Sequence, residues 1–267
     1  MRFALGLEYD GAGFSGWQSQ PGGNTVQDAL EAALSAIAAA PVRVVCAGRT
    51  DAGVHALGQV VHFDSPVERS PTAWVRGVNA YLPPQVAVRW AMPVTEDFHA
   101  RFSARARSYR YILLNRSTRP GLLSGRVGWC HQPLDLEAMQ AAATCLIGEH
   151  DFSSFRAAEC QAKSPVKTMH RFGIERSGEM IRFDCSANAF LHHMVRNLVG
   201  ALAYVGMGRR PVNWMAELLA ARDRRVGAPT FSPHGLYLAG VAYDAYWGLP
   251  DMGVSSSDPF APCLPIA

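Results

Sequence analysis

The stretch of the sequence that most suggests chemistry runs from residue 47 to 56 and reads Ala-Gly-Arg-Thr-Asp-Ala-Gly-Val-His-Ala. It contains one carboxylate, Asp51, and an arginine two residues before it, Arg49. A carboxylate can act as a nucleophile or a base, and an arginine can bind an anionic substrate. The same pair could form a solvated ion pair in a hairpin turn, since Asp and Gly are common turn residues. Residue types alone leave both interpretations open.

Two predicted strands flank this stretch and would hold it in place. Residues 42–46 are apolar and largely β-branched, and residues 57–63 have a similar composition, so both segments are typical of strands. A loop between two strands presents a reactive side chain on a rigid scaffold. Gly48 and Gly53 would allow a sharp turn or the close approach of a ligand.

A second stretch is strongly basic. Between residues 98 and 126 there are seven arginines and no Asp or Glu. Aromatic residues alternate with these arginines, and RNA binding needs cations for phosphates and rings for unstacked bases. Because no acid within the stretch balances the charge, this pattern favours nucleic-acid contact over a solvated strand face. The arginines are Arg101, Arg105, Arg107, Arg110, Arg116, Arg119 and Arg126.

Composition sets broad limits. The 267 residues are 49% hydrophobic and 18% charged, which is typical of one large or two small globular domains. The formal net charge of +3 is too small by itself to indicate nucleic-acid binding. The six cysteines are scattered without a C-x-x-C pair, which predicts reduced thiols in a cytoplasmic protein. Neither a signal peptide nor a membrane span is expected.

Hydrophobic periodicity in the first half predicts strands and helices in β-α-β-β-α-β order, the ferredoxin-like pattern. The predicted elements are strand 2–8, a helix capped by Asn24 or Thr25 and ending near 38, strands 42–46 and 57–63, helix 71–81 and strand 86–92. Residues 11–16 match G-x-G-x-x-G, but the loop continues to residue 23 and no acid ends the next strand. A dinucleotide site is therefore rejected.

The second half has a similar rhythm of elements. It is predicted to contain a helix within 133–147, a turn at 151–155, a hairpin of strands 168–175 and 180–186, helices 189–205 and 211–222, and strand 235–243. His192 and His193, adjacent on the predicted helix, would point in different directions and make a poor metal pair. Arg196 is a charge on this very apolar helix, so it needs a buried carboxylate partner, for which Asp51 is the candidate.

Residues 48–55, Gly-Arg-Thr-Asp-Ala-Gly-Val-His, closely resemble the signature loop of the TruA family of tRNA pseudouridine synthases. Further stretches match the same family in the same order, so that the resemblance covers about residues 1–246. They are 98–104 (Phe-His-Ala-Arg-Phe-Ser-Ala), 109–111 (Tyr-Arg-Tyr), 151–155 (Asp-Phe-Ser-Ser-Phe), 190–197 (Phe-Leu-His-His-Met-Val-Arg-Asn) and 235–238 (Gly-Leu-Tyr-Leu).

The resemblance implies an α+β pseudouridine synthase fold. Two ferredoxin-like, RRM-like halves with antiparallel sheets would flank a central active-site cleft. The expected divisions are a first domain at 1–104 carrying the aspartate loop, a second at 105–246 carrying its tyrosine and arginine partners, and a poorly ordered tail at 247–267.

The resemblance also implies an activity: isomerisation of uridine to pseudouridine at positions 38–40 of the tRNA anticodon stem-loop, after base flipping. It implies a cytoplasmic homodimer that uses neither cofactor nor metal. Asp51 is the expected nucleophile, Tyr109 contacts the base, Arg196 pairs with Asp51, and Arg49 fills the space left by the flipped base. The other expected substrate-binding residues are Arg69, Phe98, His99, Ala100, Arg101, Phe102, Arg110 and Leu236.

Two other classes of protein fit the sequence less well. A non-catalytic tRNA-binding protein or RNA chaperone could keep the fold, but it would not need Asp51, Tyr109 and Arg196 together. A glycoside hydrolase would need two acids flanking the scissile bond, and only Asp51 lies in a motif.

Overall fold

The computed structural model describes residues 1–250, and within this range the chain forms ten β-strands and five α-helices. The strands are β1 Arg2–Tyr9, β2 Val44–Cys46, β3 His55–Asp64, β4 Val86–Val94, β5 Ala104–Asn115, β6 Gly128–Cys130, β7 Gly148–Asp151, β8 Val166–Ser177, β9 Met180–Ala187 and β10 Leu236–Tyr243. The helices are α1 Val26–Ala38, α2 Pro71–Tyr81, α3 Leu136–Ala143, α4 Met194–Gly206 and α5 Trp214–Ala221.

The chain divides into two compact units. Unit 1 contains Met1–Arg105 and the described residues from Leu238 onward, and unit 2 contains Ala106–Tyr237. The chain passes from one unit to the other within β5 and again within β10. The domain limits expected from the sequence stay a prediction.

Unit 1 has the element order β1-α1-β2-β3-α2-β4. Its strands lie in the order β4-β1-β3, β2 also pairs with β3, and all these pairs are antiparallel. The ferredoxin-like pattern predicted from periodicity is therefore confirmed in this unit. The core includes the ring of Trp74 from α2, whose centroid lies 5.7 Å from that of Phe3 and 5.1 Å from that of Phe63.

The helices of unit 1 begin where their capping residues predict. Thr25 accepts a hydrogen bond from the backbone N–H of Asp28 and starts α1. Ser70 accepts one from Ala73 and precedes Pro71, which is well suited to the first turn of α2. No helix opens at the glycines of residues 11–16, which agrees with the rejection of a dinucleotide site.

Unit 2 repeats part of this order as β5-α3-β8-β9-α4. Its antiparallel strands lie in the order β5-β9-β8-β7, and the short β6 pairs in parallel with β5. In unit 1, β1 neighbours β3 and β3 neighbours β2; in the same way, β5 neighbours β9 and β9 neighbours β8 in unit 2. Asp135 caps α3 by accepting from the N–H of Ala138, as expected from the sequence.

The start of α4 differs from the sequence prediction. The helix begins at Met194, five residues after the predicted start at Ala189. His193 precedes it with φ 62°, in the left-handed region, and its ring centroid lies 4.1 Å from that of His192. The two histidines therefore precede the helix. The prediction that placed both of them on the helix was wrong.

The beginning of the expected tail belongs to the core of unit 1. Trp247 packs against Phe98 with ring centroids 5.2 Å apart, and Leu249 contacts the same cluster. The rest of the expected tail, residues 251–267, lies outside the described residues. Across residues 1–250, none of the helices combines the length and hydropathy that a membrane span requires.

Candidate active site

The Asp51 loop, residues 48–54, connects the adjacent antiparallel strands β2 and β3 of unit 1. Its entry is fixed by hydrogen bonds to β3. The N–H of Ala47 donates to the carbonyl of Val60 at 2.8 Å, and the side-chain amide of Gln59 donates to the carbonyl of Gly48 at 2.7 Å. Asp51 is half-buried, whereas Arg49 is exposed.

The residues next to Asp51 are fixed on both sides. Thr50 is buried, its hydroxyl lies 2.8 Å from that of Tyr9, and its carbonyl accepts from the N–H of Trp17 at 3.0 Å. The N–H of Val54 donates to the carbonyl of Asp51 at 3.1 Å. Because Gly53 has φ 77°, the tight turn needs little backbone strain. The loop therefore presents the Asp51 carboxylate from a rigid backbone.

The glycine-rich segment of residues 11–16 packs against this loop. A Cβ at Gly11 would lie 2.0 Å from the carbonyl oxygen of Val54, and one at Gly16 would lie 2.9 Å from that of Thr50. Any side chain at either position would displace the Asp51 loop. The G-x-G-x-x-G pattern thus serves close backbone packing, which the sequence could not reveal because the partner lies about 40 residues away.

The Arg101 turn, residues 98–103, lies beside the Asp51 loop in unit 1. Ala47 at the entry of the loop shares a buried cluster with Phe98 and Ala100. Burial raises the pKa of the Cys46 thiol to about 11, and the guanidinium groups of Arg49 and Arg101 oppose that rise. Both arginines therefore act electrostatically on the thiol at the end of β2.

Within the Arg101 turn, buried and exposed side chains have separate roles. Phe98 and Ala100 are fully buried, so any contribution to RNA binding comes through the turn that they hold. Arg101 and Phe102 are exposed, and the guanidinium carbon of Arg101 lies 5.5 Å from the centre of the Phe102 ring. His99, the remaining predicted residue of the turn, is half-buried between these two sets.

One residue that orders this turn was missed by the sequence prediction. His62 of β3 is buried, and its Nδ1 accepts from the N–H of Ala100 at 3.1 Å. Burial lowers the pKa of His62 to about 4, and repulsion from Arg2 and His99 adds to this effect. No local signal identifies His62, because its partner lies 38 residues further along the chain.

Arg69, also in unit 1, is exposed and contacts the end of α1. Its Nε donates to the carbonyl of Ile37 at 3.0 Å. A cation is favourable there because the last carbonyls of a helix carry partial negative charge. This contact gives Arg69 a structural role; its predicted role in substrate binding stays a prediction.

The other predicted catalytic residues lie in unit 2. The ring of Tyr109 on β5 meets that of Phe190 edge-on, with centroids 4.9 Å apart. Arg196 lies in the first turn of α4, and its Nε donates to the carbonyl of Phe231 at 2.8 Å. Leu236 is buried at the start of β10. The pairing of Arg196 with Asp51 stays a prediction.

The expectation that no acid balances the basic stretch was wrong for three of its arginines. Arg110 is buried and forms an ion pair with Asp184, with Nε and Oδ1 2.8 Å apart. These two residues lie directly opposite each other on β5 and β9. Two further arginines also have acidic partners distant in sequence: Arg105 pairs with Asp244 and Arg116 with Glu179. The ion pair between Arg110 and Asp184 therefore joins β5 to β9.

Comparisons with known proteins agree on one family. The sequence matches the family described as tRNA pseudouridine synthase over residues 7–103 and 142–244. It is 66% identical over 251 residues to tRNA pseudouridine synthase A of Dechloromonas aromatica, covering 94% of this chain and 96% of that protein. It is 63% identical over 250 residues to the protein of that name in Methylobacillus flagellatus, covering 94% and 96%. With the Bordetella parapertussis protein of that name it shares 57% identity over 267 residues, covering 98% and 99%.

Proposed function

This chain belongs to the tRNA pseudouridine synthase family, and on that premise we propose that it isomerises uridine to pseudouridine at positions 38–40 of the tRNA anticodon stem-loop. The observation that carries the proposal is the Asp51 loop, which has the family's signature sequence and a backbone held by hydrogen bonds on both sides of Asp51. A non-catalytic tRNA-binding protein is not favoured, because the curated relatives are named as synthases over nearly the whole chain.

The reaction sets requirements that Asp51 can meet. The bond from ribose C1′ to uracil N1 breaks, the uracil turns, and C1′ bonds to C5, which releases its proton while N1 gains one. The nucleotide must first leave the base stack. The carboxylate would attack the ribose or the uracil ring, or remove a proton from C2′, and it must be ionised for each of these routes.

Arg196 is proposed to pair with the Asp51 carboxylate. A cation in the first turn of a helix meets the partial positive charge of the helix N-terminus, which is unfavourable. The placement of Arg196 in α4 therefore calls for compensation by an acceptor, of which the Phe231 carbonyl is one. A carboxylate would provide stronger compensation, because a charge-assisted hydrogen bond is about twice as strong as a neutral one.

Tyr109 and Arg49 are proposed to handle the flipped nucleotide. The ring of Tyr109, supported edge-on by Phe190, offers a flat face to a uracil. Arg49 is exposed two residues from Asp51, so it would occupy the gap left in the RNA stack and offset part of the cost of flipping. Leu236 would form an apolar wall that keeps water away from the detached base.

The test compares the wild type with Asp51→Asn, which keeps the shape of the side chain and removes its charge. With tRNA tritiated at uracil C5, we expect the variant to release tritium at least about 1000-fold more slowly, as for other lost nucleophiles. Its affinity for tRNA should stay within about twofold. If the variant kept its rate, Asp51 would not be the nucleophile. If the wild type bound tRNA without releasing tritium, the binding-protein alternative would replace the enzyme.

We also propose that the enzyme is a cytoplasmic homodimer whose tRNA contacts both subunits, as its family implies. Light scattering should then give twice the mass of one chain at micromolar concentration, and cell fractionation should recover the protein with the tRNA. A mass of one chain with full activity would exclude the dimer as a requirement for catalysis.

A further inference from the structure

Three aromatic rings in unit 1 lead from the core to the surface. His62 is buried on β3, His99 is half-buried, and Phe102 is 76% exposed. The ring centroids of His62 and His99 are 4.8 Å apart. Those of His99 and Phe102 are 4.3 Å apart with only 30° between the planes, so these two rings stack. The outer ring, Phe102, therefore rests on a supported base and still offers most of its surface to solvent.

The two histidines also fix the backbone that carries Phe102. His62 accepts from the N–H of Ala100 at 3.1 Å, and His99 accepts from the N–H groups of Arg101 and Phe102, both at 3.2 Å. Each acceptor is Nδ1. Because a backbone amide can only donate, both Nδ1 atoms must be unprotonated. Burial lowers the pKa of both imidazoles, which favours this neutral form.

The turn is closed by Ser103. Its N–H donates to the carbonyl of His99 at 2.8 Å, and its hydroxyl accepts from the N–H of His99 at 3.0 Å. On the other side, Tyr243 donates to the carbonyl of Ala100, with 2.6 Å between the oxygens. The backbone of Ala100 is thus hydrogen-bonded at both its N–H and its carbonyl. Such a rigid turn can hold an exposed side chain in one orientation.

The exposed end of this stack has the chemistry of a base-binding site. A flat apolar ring in solvent contributes little to folding, and the guanidinium of Arg101 lies 5.5 Å from its centre. Proteins bind single-stranded RNA by stacking bases on aromatic rings beside cations that meet the phosphates. An apolar protein partner would not need these charges.

We propose that His62 and His99 are positioning residues that hold Phe102 and Arg101 as a platform on which one unpaired nucleobase of the RNA substrate stacks. This inference rests on the proposed function for the identity of the RNA. It gives Phe102 and Arg101, already expected to bind substrate, a specific mode of contact, and it assigns the geometry of that contact to two neutral imidazoles.

The first test measures stacking directly. The probe is an anticodon stem-loop RNA with 2-aminopurine at single unpaired loop positions, whose fluorescence falls when the base stacks on a ring. We expect the wild type to quench one position, and Phe102→Ala to abolish that quenching and weaken binding by about 5- to 100-fold. Tyr81→Ala is the matched control, because Tyr81 is also an exposed aromatic residue of unit 1, at the end of α2. Equal quenching and affinity for wild type and Phe102→Ala would overturn the proposal.

The second test separates the two roles of His99. His99→Asn keeps an acceptor at the position of Nδ1 and loses the ring, while His99→Phe keeps a ring and loses the acceptor. If His99 acts by holding the backbone, His99→Asn should retain most of the affinity and His99→Phe should lose about as much as Phe102→Ala. His99→Phe with wild-type affinity would contradict the role of the Nδ1 acceptor, and wild-type affinity in both variants would overturn the positioning role of His99. Thermal melting confirms that each variant is folded.

These experiments are independent of catalysis. Quenching and affinity are measured without turnover, so they remain informative even if the wild type releases no tritium. In an active enzyme, Phe102→Ala and His99→Phe should raise KM more than they lower kcat, because the platform binds a base that does not react. A loss confined to kcat would count against the platform.

Discussion

His62 combines a buried position with a hydrogen bond that requires the neutral form of its imidazole. It lies on β3 in the core of unit 1, and its Nδ1 accepts a backbone proton from Ala100. Protonation would convert this acceptor into a donor that faces another donor. Burial lowers the pKa of His62 to about 4, with Arg2 and His99 adding repulsion, so the residue stays neutral in the folded protein.

The free energy of unfolding should therefore depend on pH through His62. An unfolded histidine titrates near 6.5, so between about pH 6.5 and 4 the unfolded chain binds more protons than the folded one. Stability from this residue is complete above pH 6.5 and is lost as the pH falls toward 4, by at most about 3 kcal/mol. Urea unfolding of wild type and His62→Asn, which keeps the acceptor but cannot titrate, should show a flatter pH dependence for the variant. Parallel curves would contradict this assignment.

The sequence locates residues that form a local motif and misses those that act across the chain. Asp51 and Arg49 lie within eight consecutive residues that carry a family signature, so position alone singles them out. His62 has no such context, since its role depends on a contact with a residue 38 positions away. For the same reason the sequence predicted Arg110 to bind substrate and did not reveal its ion pair with Asp184, 74 residues later.

At the scale of elements, α4 depends on a close contact with a loop. Gly200 faces residues 229–231, and a Cβ there would lie only 2.6 Å from the carbonyl oxygen of Pro229. The same loop carries Phe231, whose carbonyl accepts from Arg196 and whose N–H donates to the Arg196 carbonyl at 3.3 Å. The small residue therefore allows the loop to reach the first turn of the helix.

Gly200→Ala is expected to destabilise the protein although alanine is the better helix former. Helix propensity would add about 1 kcal/mol, but a backbone oxygen at 2.6 Å cannot move without shifting the loop, which costs about 1–3 kcal/mol. The matched control is Gly206→Ala in the same helix, where the new Cβ meets the flexible end of Met139 at 2.8 Å. Calorimetry should show a lower Tm for Gly200→Ala than for Gly206→Ala. The reverse order would mean that the loop yields easily.

Long elements with clear ends were predictable, whereas two of the short strands and one unusually capped helix start were not. Residues 71–81 were predicted as a helix and form α2, because Pro71 and the polar cap at Ser70 mark its start. The strands β6 and β7 have only three and four residues, too few for alternation to show. The start of α4 was misplaced because its N-cap, His193, does not cap the helix with its side chain and has φ 62°.

At the scale of the whole molecule, attraction to RNA must come from local charge. The formal net charge is only +3, and three arginines of the basic stretch are paired with acids. An arginine in an ion pair has less to gain from a phosphate, since it must give up its carboxylate. Arg49 and Arg101 are exposed in the Asp51 loop and the Arg101 turn, and this exposure makes them candidates for phosphate contacts.

Arg101→Ala should weaken tRNA binding and make it less sensitive to salt. Each phosphate contact that is lost reduces the slope of log K against log salt by about 0.7 to 0.9. Arg116→Ala is the control, because it removes the same formal charge from the basic stretch, but its guanidinium is held by Glu179 at 3.2 Å. Affinities measured by fluorescence anisotropy over a salt series should show a reduced slope for Arg101→Ala only. Equal slopes for wild type and both variants would mean that Arg101 meets no phosphate, and an equal reduction in both variants would mean that overall charge governs binding.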